Sequence, residues 1–460
     1  MVAAAVLAAG LATPPIAGAQ ESTVDATAKS QIAALQAVKA GQTATESKID
    51  SKLLVQEKMR TRSLSAAALP GIAKTADKAL VDIRVTKVSD GLVNDLRKAG
   101  AEVRAVSSTA ASIRAEVPLT ALPEIAQRSD VKHVETADQA MTARQRENTK
   151  DDKETKQQKA DRIDRQLKEA IGTTTQVVSA GDRAHNADVA RQQFGVTGTG
   201  VKACALSDGV DSLEVSRTKG ELPAVDVLTG QAGSGDEGTA MLEIIHDLAP
   251  NAKLGFATAF TSDASFADNI RKLRFEAHCD VIVDDVIYFK ESPFQDWIIA
   301  QAVNDVTADG ALYFSSAGNE GNVADGTAAH WEGDFVDSGT SIGKYAGTAH
   351  NFAGAAGKQV FEPISDASSA NIPVTLHWSD PIGAAADDYD LYLLDARGNV
   401  VSFSQDVQNG TQDPYEHLAT PLFGGTGLRL AVVKFSGASR YLSLTAFGSR
   451  FRDSADGLKA

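Results

Sequence analysis

The chain has 460 residues, of which 43% are hydrophobic, and this is enough for more than one folded core. It carries 45 basic and 60 acidic side chains, so its formal charge is −15. The excess of negative charge argues against nucleic acids and anionic membranes as partners, because both are negatively charged themselves. No apolar run reaches the ~18 residues that are needed to span a bilayer.

The first residues have the pattern of an export signal. Residues 1–19 are apolar and rich in small side chains, and Ala17-Gly18-Ala19 forms a small-residue cleavage site before Gln20. A signal peptide predicts a secreted protein, extracellular or periplasmic, and an alanine-rich tail is the alternative. Because the basic segment that normally opens a signal is missing, we expect the true start to lie upstream of Met1. Residues 20–79, which follow, show only scattered helical periodicity and are assigned no function.

A small α+β domain is predicted over residues 80–140. Hydrophobic periodicity there changes in the order β-α-β-β-α-β, which is typical of a ferredoxin-like unit. Residues 141–175 are then dense in charged side chains, with i,i+4 pairs such as Asp161 with Arg165. A solvated helical linker is predicted, and its exposed basic residues also make it a candidate for a maturation cut.

The α/β domain is predicted over residues 176–335. Buried strands at 201–207, 253–258, 280–287 and 311–316 alternate with helical segments, which indicates a parallel sheet with helices on both faces. Asp208, Asp285 and Asn319 each follow or end one of these strands, and Glu237 opens a helix. Because parallel sheets place their chemistry at the carboxyl ends of the strands, these four residues are the candidate site.

The last large segment, residues 336–450, alternates in the manner of strands with Gly-Asn and Asn-Gly turns and predicts an antiparallel β-sandwich. Asp387, Asp388 and Asp390 are the oxygen ligands that Ca²⁺ prefers, although a solvated turn is the alternative reading of three aspartates. Residues 451–460 are polar and are predicted to be unstructured. The two cysteines, Cys204 and Cys279, are expected to be buried free thiols, because disulfide geometry between neighbouring strands is restrictive; a disulfide between them is the alternative.

Three ordered motifs carry a family resemblance. Leu206-Ser207-Asp208-Gly209, then Glu237-Gly238-Thr239, then Ala317-Gly318-Asn319-Glu320-Gly321 resemble the subtilase clan of serine peptidases, over roughly residues 180–330. Subtilisins have a histidine where this chain has Glu237, so this position is more similar to the sedolisin branch. The second carboxylate of sedolisins, one turn later, is replaced here by Met241.

The resemblance implies a role for each site residue. Asp208 would be the orienting carboxylate and would form the acid–base pair with Glu237 as the base, and the Asn319 amide would be the oxyanion donor. Asp284 and Asp285 would shape the substrate cleft or, alternatively, replace the missing second carboxylate. His246 follows Glu237 by nine residues and is expected to face away. Ser341 lies in a Gly-Thr-Ser sequence without the small residues and the proline of a nucleophile motif, so a loop is expected there. The nucleophile serine is expected beyond Ala460.

The function that follows from the resemblance is that of a secreted serine endopeptidase that hydrolyses peptide bonds in proteins. The 80–140 domain is similar in position to the inhibitory propeptides of subtilases, which makes the chain's own N-terminal part an expected partner. Because no nucleophile motif is present in the sequence, the alternative is a catalytically dead relative that binds peptides or surface glycans.

Overall fold

The computed structural model describes residues 24–72, 77–142, 177–318, 321–324, 327–345, 347–364, 371–421, 427–447, 449–451 and 458–459. The predicted signal peptide and nearly all of the predicted linker and C-terminal end lie outside the described residues. The described chain has three parts: an N-terminal unit (residues 24–142), an α/β domain and a β-sandwich.

The N-terminal unit starts with two helices, and each is capped by the aspartate that directly precedes it. The helices are α1 (Ala26–Ala40) and α2 (Ser51–Arg60). Asp25 accepts a hydrogen bond from the Thr27 N–H at 2.7 Å, and Asp50 accepts one from the Lys52 N–H at 2.7 Å. These side chains satisfy N–H groups that have no partner inside a helix, and they fix where each helix starts. Residues 24–72 are called the helical segment below.

The rest of the N-terminal unit is a four-stranded antiparallel sheet with the strand order β2-β3-β1-β4. Its elements are β1 (Lys78–Val85), α3 (Asp90–Lys98), β2 (Glu102–Ser107), β3 (Ser112–Pro118), α4 (Leu122–Gln127) and β4 (Val131–Thr136). Ile83, Ile113 and Val134 from the strands pack with Leu96 and Ile125 from the helices in one apolar core. The chain therefore follows the β-α-β-β-α-β order that its periodicity predicts.

The α/β domain contains a five-stranded parallel sheet with the order β6-β7-β5-β8-β9. Its elements are α5 (Ala180–Ala184), α6 (Ala187–Phe194), β5 (Lys202–Ser207), α7 (Leu213–Lys219), β6 (Val225–Val227), α8 (Glu237–Leu248), β7 (Lys253–Thr258), α9 (Asp263–Phe275), β8 (Val281–Asp284), α10 (Ile298–Ala308) and β9 (Leu312–Ser315). Ala205 and Phe256 pack with Leu242 of α8, whereas Leu206 packs with Ile270 of α9 on the other face. The predicted parallel sheet with helices on both faces is confirmed.

The third part is made of two antiparallel sheets that pack face to face. Their strands are β10 (His330–Asp334), β11 (Thr348–Ala349), β12 (Glu362–Pro363), β13 (Pro373–Trp378), β14 (Asp388–Leu394), β15 (Val400–Ser404), β16 (Tyr415–Ala419), β17 (Arg429–Ser436), β18 (Tyr441–Ala446) and β19 (Leu458–Lys459). One sheet has the order β16-β13-β18-β10-β19, and the other has β11-β17-β14-β15 with β12 beside β17. Trp378, Tyr389 and Leu444 lie in the core between them. The sandwich thus begins at β10, earlier than the predicted boundary at residue 336.

The expectation of two free thiols is wrong, because Cys204 and Cys279 form a disulfide bond. Cys204 lies in β5, whereas Cys279 lies in the turn before β8. Their Cα atoms are 6.0 Å apart, which is within the usual range for a disulfide. The restriction that disfavours bonds between paired strand residues does not apply, because one partner precedes its strand.

None of the helices in the described part of the chain combines the length and the apolarity that crossing a bilayer requires.

Candidate active site

Asp208 caps a helix at the carboxyl edge of the parallel sheet. It directly follows β5, is 7% exposed, and accepts hydrogen bonds through Oδ1 from the N–H groups of Gly209 at 2.5 Å, Glu237 at 3.0 Å and Gly238 at 3.3 Å. Burial raises the pKa of Asp208, and these three N–H groups oppose the rise. The carboxylate therefore satisfies the free N–H groups at the start of α8 and fixes the position of that helix.

Two glycines make this close approach between Asp208 and α8 achievable. Gly235 has a φ of +128°, and a Cβ atom there would overlap the Asp208 carboxylate. A Cβ atom at Gly238 would overlap the Phe256 ring and would lie 2.6 Å from the Gly209 carbonyl oxygen. The turn before α8 and its first residues thus need glycine for contact with the end of β5.

Glu237, the first residue of α8, carries the most perturbed acid in the cleft. Its Oε2 atom is buried and has no hydrogen-bond partner among the described residues. Burial raises the pKa of Glu237 to about 7, the neighbouring Asp285 carboxyl and the Asp208 charge act in the same direction, and the Thr142 hydroxyl that faces the carboxyl group opposes them. Glu237 therefore holds a proton up to about neutral pH and can both give and take one there.

Asp285 and Asp208 lie in different positions around Glu237 from those that the sequence predicts. Asp285, expected mainly to shape the cleft, is the side chain that lies against the Glu237 carboxyl group, whereas Asp208 bonds to the Glu237 backbone. Asp284 is 4% exposed and accepts a hydrogen bond from the Ser315 hydroxyl at 2.9 Å, so it links β8 to β9. Glu237 and Asp285 are thus the two carboxyl groups in contact, and their arrangement depends on how α8 packs against the end of β8.

The other candidates of the sequence analysis lie apart from this pair or cannot be placed. Asn319 lies outside the described residues. His246 is in the last turn of α8, about 13 Å along the helix from Glu237. Ser341 is in the loop between β10 and β11, where its hydroxyl donates to the Gly343 carbonyl at 3.1 Å, so the expected loop is present.

A segment of the N-terminal unit, residues 137–142, lies beside the pair and contacts the α/β domain through a single β-bridge; sequence reasoning did not find it, and it is called the short strand below. Met141 and Ile287 form an antiparallel bridge, in which the Met141 N–H donates at 3.1 Å and the Ile287 N–H donates back at 2.9 Å. The next residue, Thr142, is 1% exposed and faces Glu237. No hydrophobic pattern long enough for a strand marks this segment, in which Ala140 packs into the apolar core of the α/β domain and Met141 pairs with Ile287 by backbone hydrogen bonds.

Polar groups of the N-terminal unit anchor this short strand. The Arg114 guanidinium donates to Asp82 Oδ1 at 2.8 Å, to the Asp138 carbonyl at 2.6 Å and to the Thr261 carbonyl at 3.0 Å. The Lys290 N–H donates to the Asp138 carboxylate at 3.1 Å. One buried guanidinium therefore connects β1 and β3 with the strand's entry into the cleft and with the α/β domain.

The three aspartates considered for Ca²⁺ are paired with cationic side chains. Asp388 and Asp390 lie in β14 and bind the Lys39 ammonium, while Asp387 binds Arg440. They are buried rather than in a solvated turn. Within the described residues, no group of three or more His, Cys, Asp or Glu side chains is arranged to hold a metal ion.

No protein-family model matches the chain, and no curated protein matches it by sequence. One similar solved structure is the epidermin leader peptide processing serine protease (EpiP) of Staphylococcus aureus, with a TM-score of 0.30 and 11% identity over 55% of this chain and 63% of that chain. Another is fervidolysin of Fervidobacterium pennivorans, described as a keratinolytic enzyme related to subtilisin, with a TM-score of 0.28 and 10% identity over 81% of this chain and 95% of that chain. The chain thus spans just under two thirds of the first structure, and similarity at this level establishes no family.

Proposed function

We propose that this chain carries the acid–base half of a secreted serine endopeptidase of the subtilisin or sedolisin type. The observation that carries the proposal is the pair of Glu237 and Asp285 at the carboxyl edge of the parallel sheet, with the pKa of Glu237 raised by burial to about 7. A carboxyl group with such a pKa can take the proton of a nucleophile at neutral pH and return it to a leaving amine.

The remaining parts of the reaction are assigned by the motif resemblance. The Asn319 amide would stabilise the oxyanion, and a serine beyond Ala460 would attack the peptide carbonyl. Asp208 acts through α8 by holding Glu237 in place, which makes it a positioning residue. Asp285 lies beside Glu237 and helps to raise the pKa of that carboxyl group.

The N-terminal unit is proposed as the intramolecular inhibitor of this site. Its residues 137–142 lie against the α/β domain, where Met141 forms an antiparallel bridge with Ile287, and an extended peptide substrate can bind by the same backbone pairing. Thr142 next to Glu237 would then block the position where a substrate peptide bond is attacked. A cut in residues 143–176 would separate this unit covalently from the α/β domain.

The complete gene product, read past codon 460, tests the proposal. We expect it to cleave a denatured protein substrate and to be labelled by a serine-directed fluorophosphonate at a residue after Ala460. Glu237→Gln should lower kcat/KM by about 10²- to 10⁴-fold, which is the usual contribution of a general base. Because the base must be unprotonated, activity should fall as the pH drops below about 7 in the base limb. Absence of both labelling and hydrolysis in the wild-type product would overturn the proposal.

The second candidate is a secreted peptide-binding protein without activity. The bridge between Met141 and Ile287 favours it, since strand addition in the cleft needs no nucleophile. The same labelling experiment separates the two functions: if no serine is labelled and no substrate is hydrolysed, peptide binding without hydrolysis is the remaining function.

A further inference from the structure

The helical segment covers the outer face of one sandwich sheet, and the proposed chemistry gives this contact no role. Strand β14 is buried at every position, so its outward side chains are covered as well as its inward ones. Ile32 and Leu35 of α1 belong to the same apolar core as Tyr392 and Leu394 of β14 and Phe403 of β15. Removing the segment would expose a continuous apolar face, which soluble proteins rarely leave open.

A buried lysine lies at the centre of this contact. Lys39, in the last turn of α1, is 3% exposed, and its ammonium binds Asp388 and, at 2.5 Å, Asp390. The ammonium also lies 4.6 Å from the centroid of the Phe435 ring. Asp390 accepts a further hydrogen bond from the Tyr392 hydroxyl at 2.9 Å. Without Lys39, the buried carboxylates of Asp388 and Asp390 would lack a counterion, and this would strongly destabilise the sandwich.

Backbone groups of the sandwich edge are also satisfied by the helical segment. The Val400 N–H of edge strand β15 donates to Gln31 Oε1 at 2.7 Å, and the Gln405 N–H donates to the Ser51 hydroxyl oxygen at 2.9 Å. From α2, the Ser51 N–H donates to Asp406 Oδ1 at 2.6 Å. The segment therefore closes the open edge of the sheet as well as its face.

The fit between the two surfaces is close enough to require small residues. A Cβ atom at Gly343, in the sandwich, would overlap the Gln36 amide of α1, whose Oε1 accepts hydrogen bonds from the Lys344 and Tyr345 N–H groups at 3.1 and 3.2 Å. A Cβ atom at Gly71, in the segment, would overlap the Val400 carbonyl oxygen. The contact is thus packed as a protein interior is.

We propose that the β-sandwich is the receptor for the helical segment, and that it keeps the N-terminal unit bound after the chain is cut between residues 143 and 176. The inference rests on the proposed function in one respect, namely that the N-terminal unit occupies the cleft. A fragment held by a second contact stays at high effective concentration, so its short strand returns to the site each time it leaves. The sandwich thereby regulates access to the site.

The test uses the full chain, with a recognition sequence for a specific protease introduced between residues 150 and 165 in a Glu237→Gln background. After the cut, we expect the two fragments to co-elute in size-exclusion chromatography. Lys39→Glu places a third carboxylate in the pocket and should raise the dissociation rate constant of the N-terminal fragment about 100-fold or more. Lys29→Glu, on the exposed side of α1, is the matched control and should leave the rate unchanged.

A second variant guards against failure to fold. Lys39→Met combined with Asp388→Asn and Asp390→Asn removes all three charges, and it should fold and retain the fragment better than Lys39→Glu does. Gly343→Val, from the sandwich side, should also speed release. The proposal is overturned if wild-type fragments separate on the column, or if Lys39→Glu and Lys29→Glu release the fragment at the same rate. Because retention needs no hydrolysis, failure of the peptidase proposal would leave this result unchanged.

Discussion

At the scale of single residues, the chemistry of the cleft depends on how two carboxyl groups share it. Burial is the largest cause of the raised pKa of Glu237. Asp285 adds to the rise, because a second negative charge beside the first is unfavourable. Asp208 is different, since its Oδ1 accepts three backbone N–H groups. Three acids at this edge of the sheet therefore have two roles: Asp208 holds α8 in place, whereas the carboxyl groups of Glu237 and Asp285 lie against each other.

Asp285→Asn should lower the pKa of Glu237 from about 7 toward its ordinary value, because it removes the adjacent charge. The measurement is the ¹³C shift of glutamate carboxyl groups as a function of pH, with Glu237→Gln used to identify the resonance. Asp226→Asn, on β6 and paired with Lys202, is the control and should leave the titration unchanged. An unchanged midpoint in Asp285→Asn would contradict the pairing.

How much of this site the sequence predicts depends on whether a residue is defined locally. Asp208 at the end of a buried strand and Glu237 at the start of a helix are both readable from periodicity and turn signals, and the structure places both at the carboxyl edge of the sheet. The contact of Glu237 with Asp285 joins residues 48 positions apart and depends on how α8 packs on the sheet. The approach of Thr142 depends on the docking of a separate unit, so neither contact has a local signal.

At the scale of elements, the start of α8 packs so closely against its neighbours that position 238 requires glycine. A Gly238→Ala substitution forces the helix away from Phe256 and from the Gly209 carbonyl, and we expect a loss of about 1–3 kcal/mol in the free energy of unfolding, as for other overpacked sites. Urea denaturation measures it. Gly181→Ala in α5 is the matched control, because its nearest neighbours would be 3.9 Å away and alanine favours helices. Equal stability of the two variants would contradict this account.

The helical segment shows why an element can be predicted while its role is not. Residues 20–79 show scattered helical periodicity in the sequence, but the apolar face of the helical segment complements the outer face of a sandwich more than 300 residues later. The DYDLYLL sequence of β14 reads as a strand with one polar face, and its aspartates read as ligands or turn residues. Neither reading predicts that Lys39 is the counterion of Asp388 and Asp390, because residues so far apart in the sequence give no local signal of their contact.

At the scale of the whole molecule, the N-terminal unit meets the α/β domain through acids that are buried with too few cations. Burial raises the pKa of Asp82 to about 6 and that of Asp138 to about 7; the nearby Asp263 charge adds to both, and Arg114 opposes both. Around them, Lys290 and Arg84 hold the pKa of Glu135 down to about 2 despite its burial. At this interface, the raised pKa values of Asp82 and Asp138 favour their protonated forms, whereas the lowered pKa of Glu135 favours its ionised form.

These shifts predict that a cut N-terminal unit is held more tightly at pH 5.5 than at pH 8. On release, Asp82 and Asp138 would return to pKa values near 4, so the bound state takes up protons between about pH 4 and 7. Binding is then weakened as the pH rises through 6 and 7, by up to about tenfold per pH unit for each proton involved. Glu135 acts in the opposite direction only below about pH 4, where its carboxylate is lost.

Dissociation rates of the cut chain at pH 5.5, 7 and 8 measure this dependence, and a rise of about tenfold or more toward pH 8 is expected. Asp263→Asn removes the negative charge that faces both acids and should flatten the curve, whereas Asp226→Asn should not. Faster release at pH 5.5 than at pH 8 would contradict the assignment. If release is slower in acid, as expected, the N-terminal unit binds more tightly at the same pH values at which Glu237 is protonated. Both effects would keep the site inactive until the pH rises.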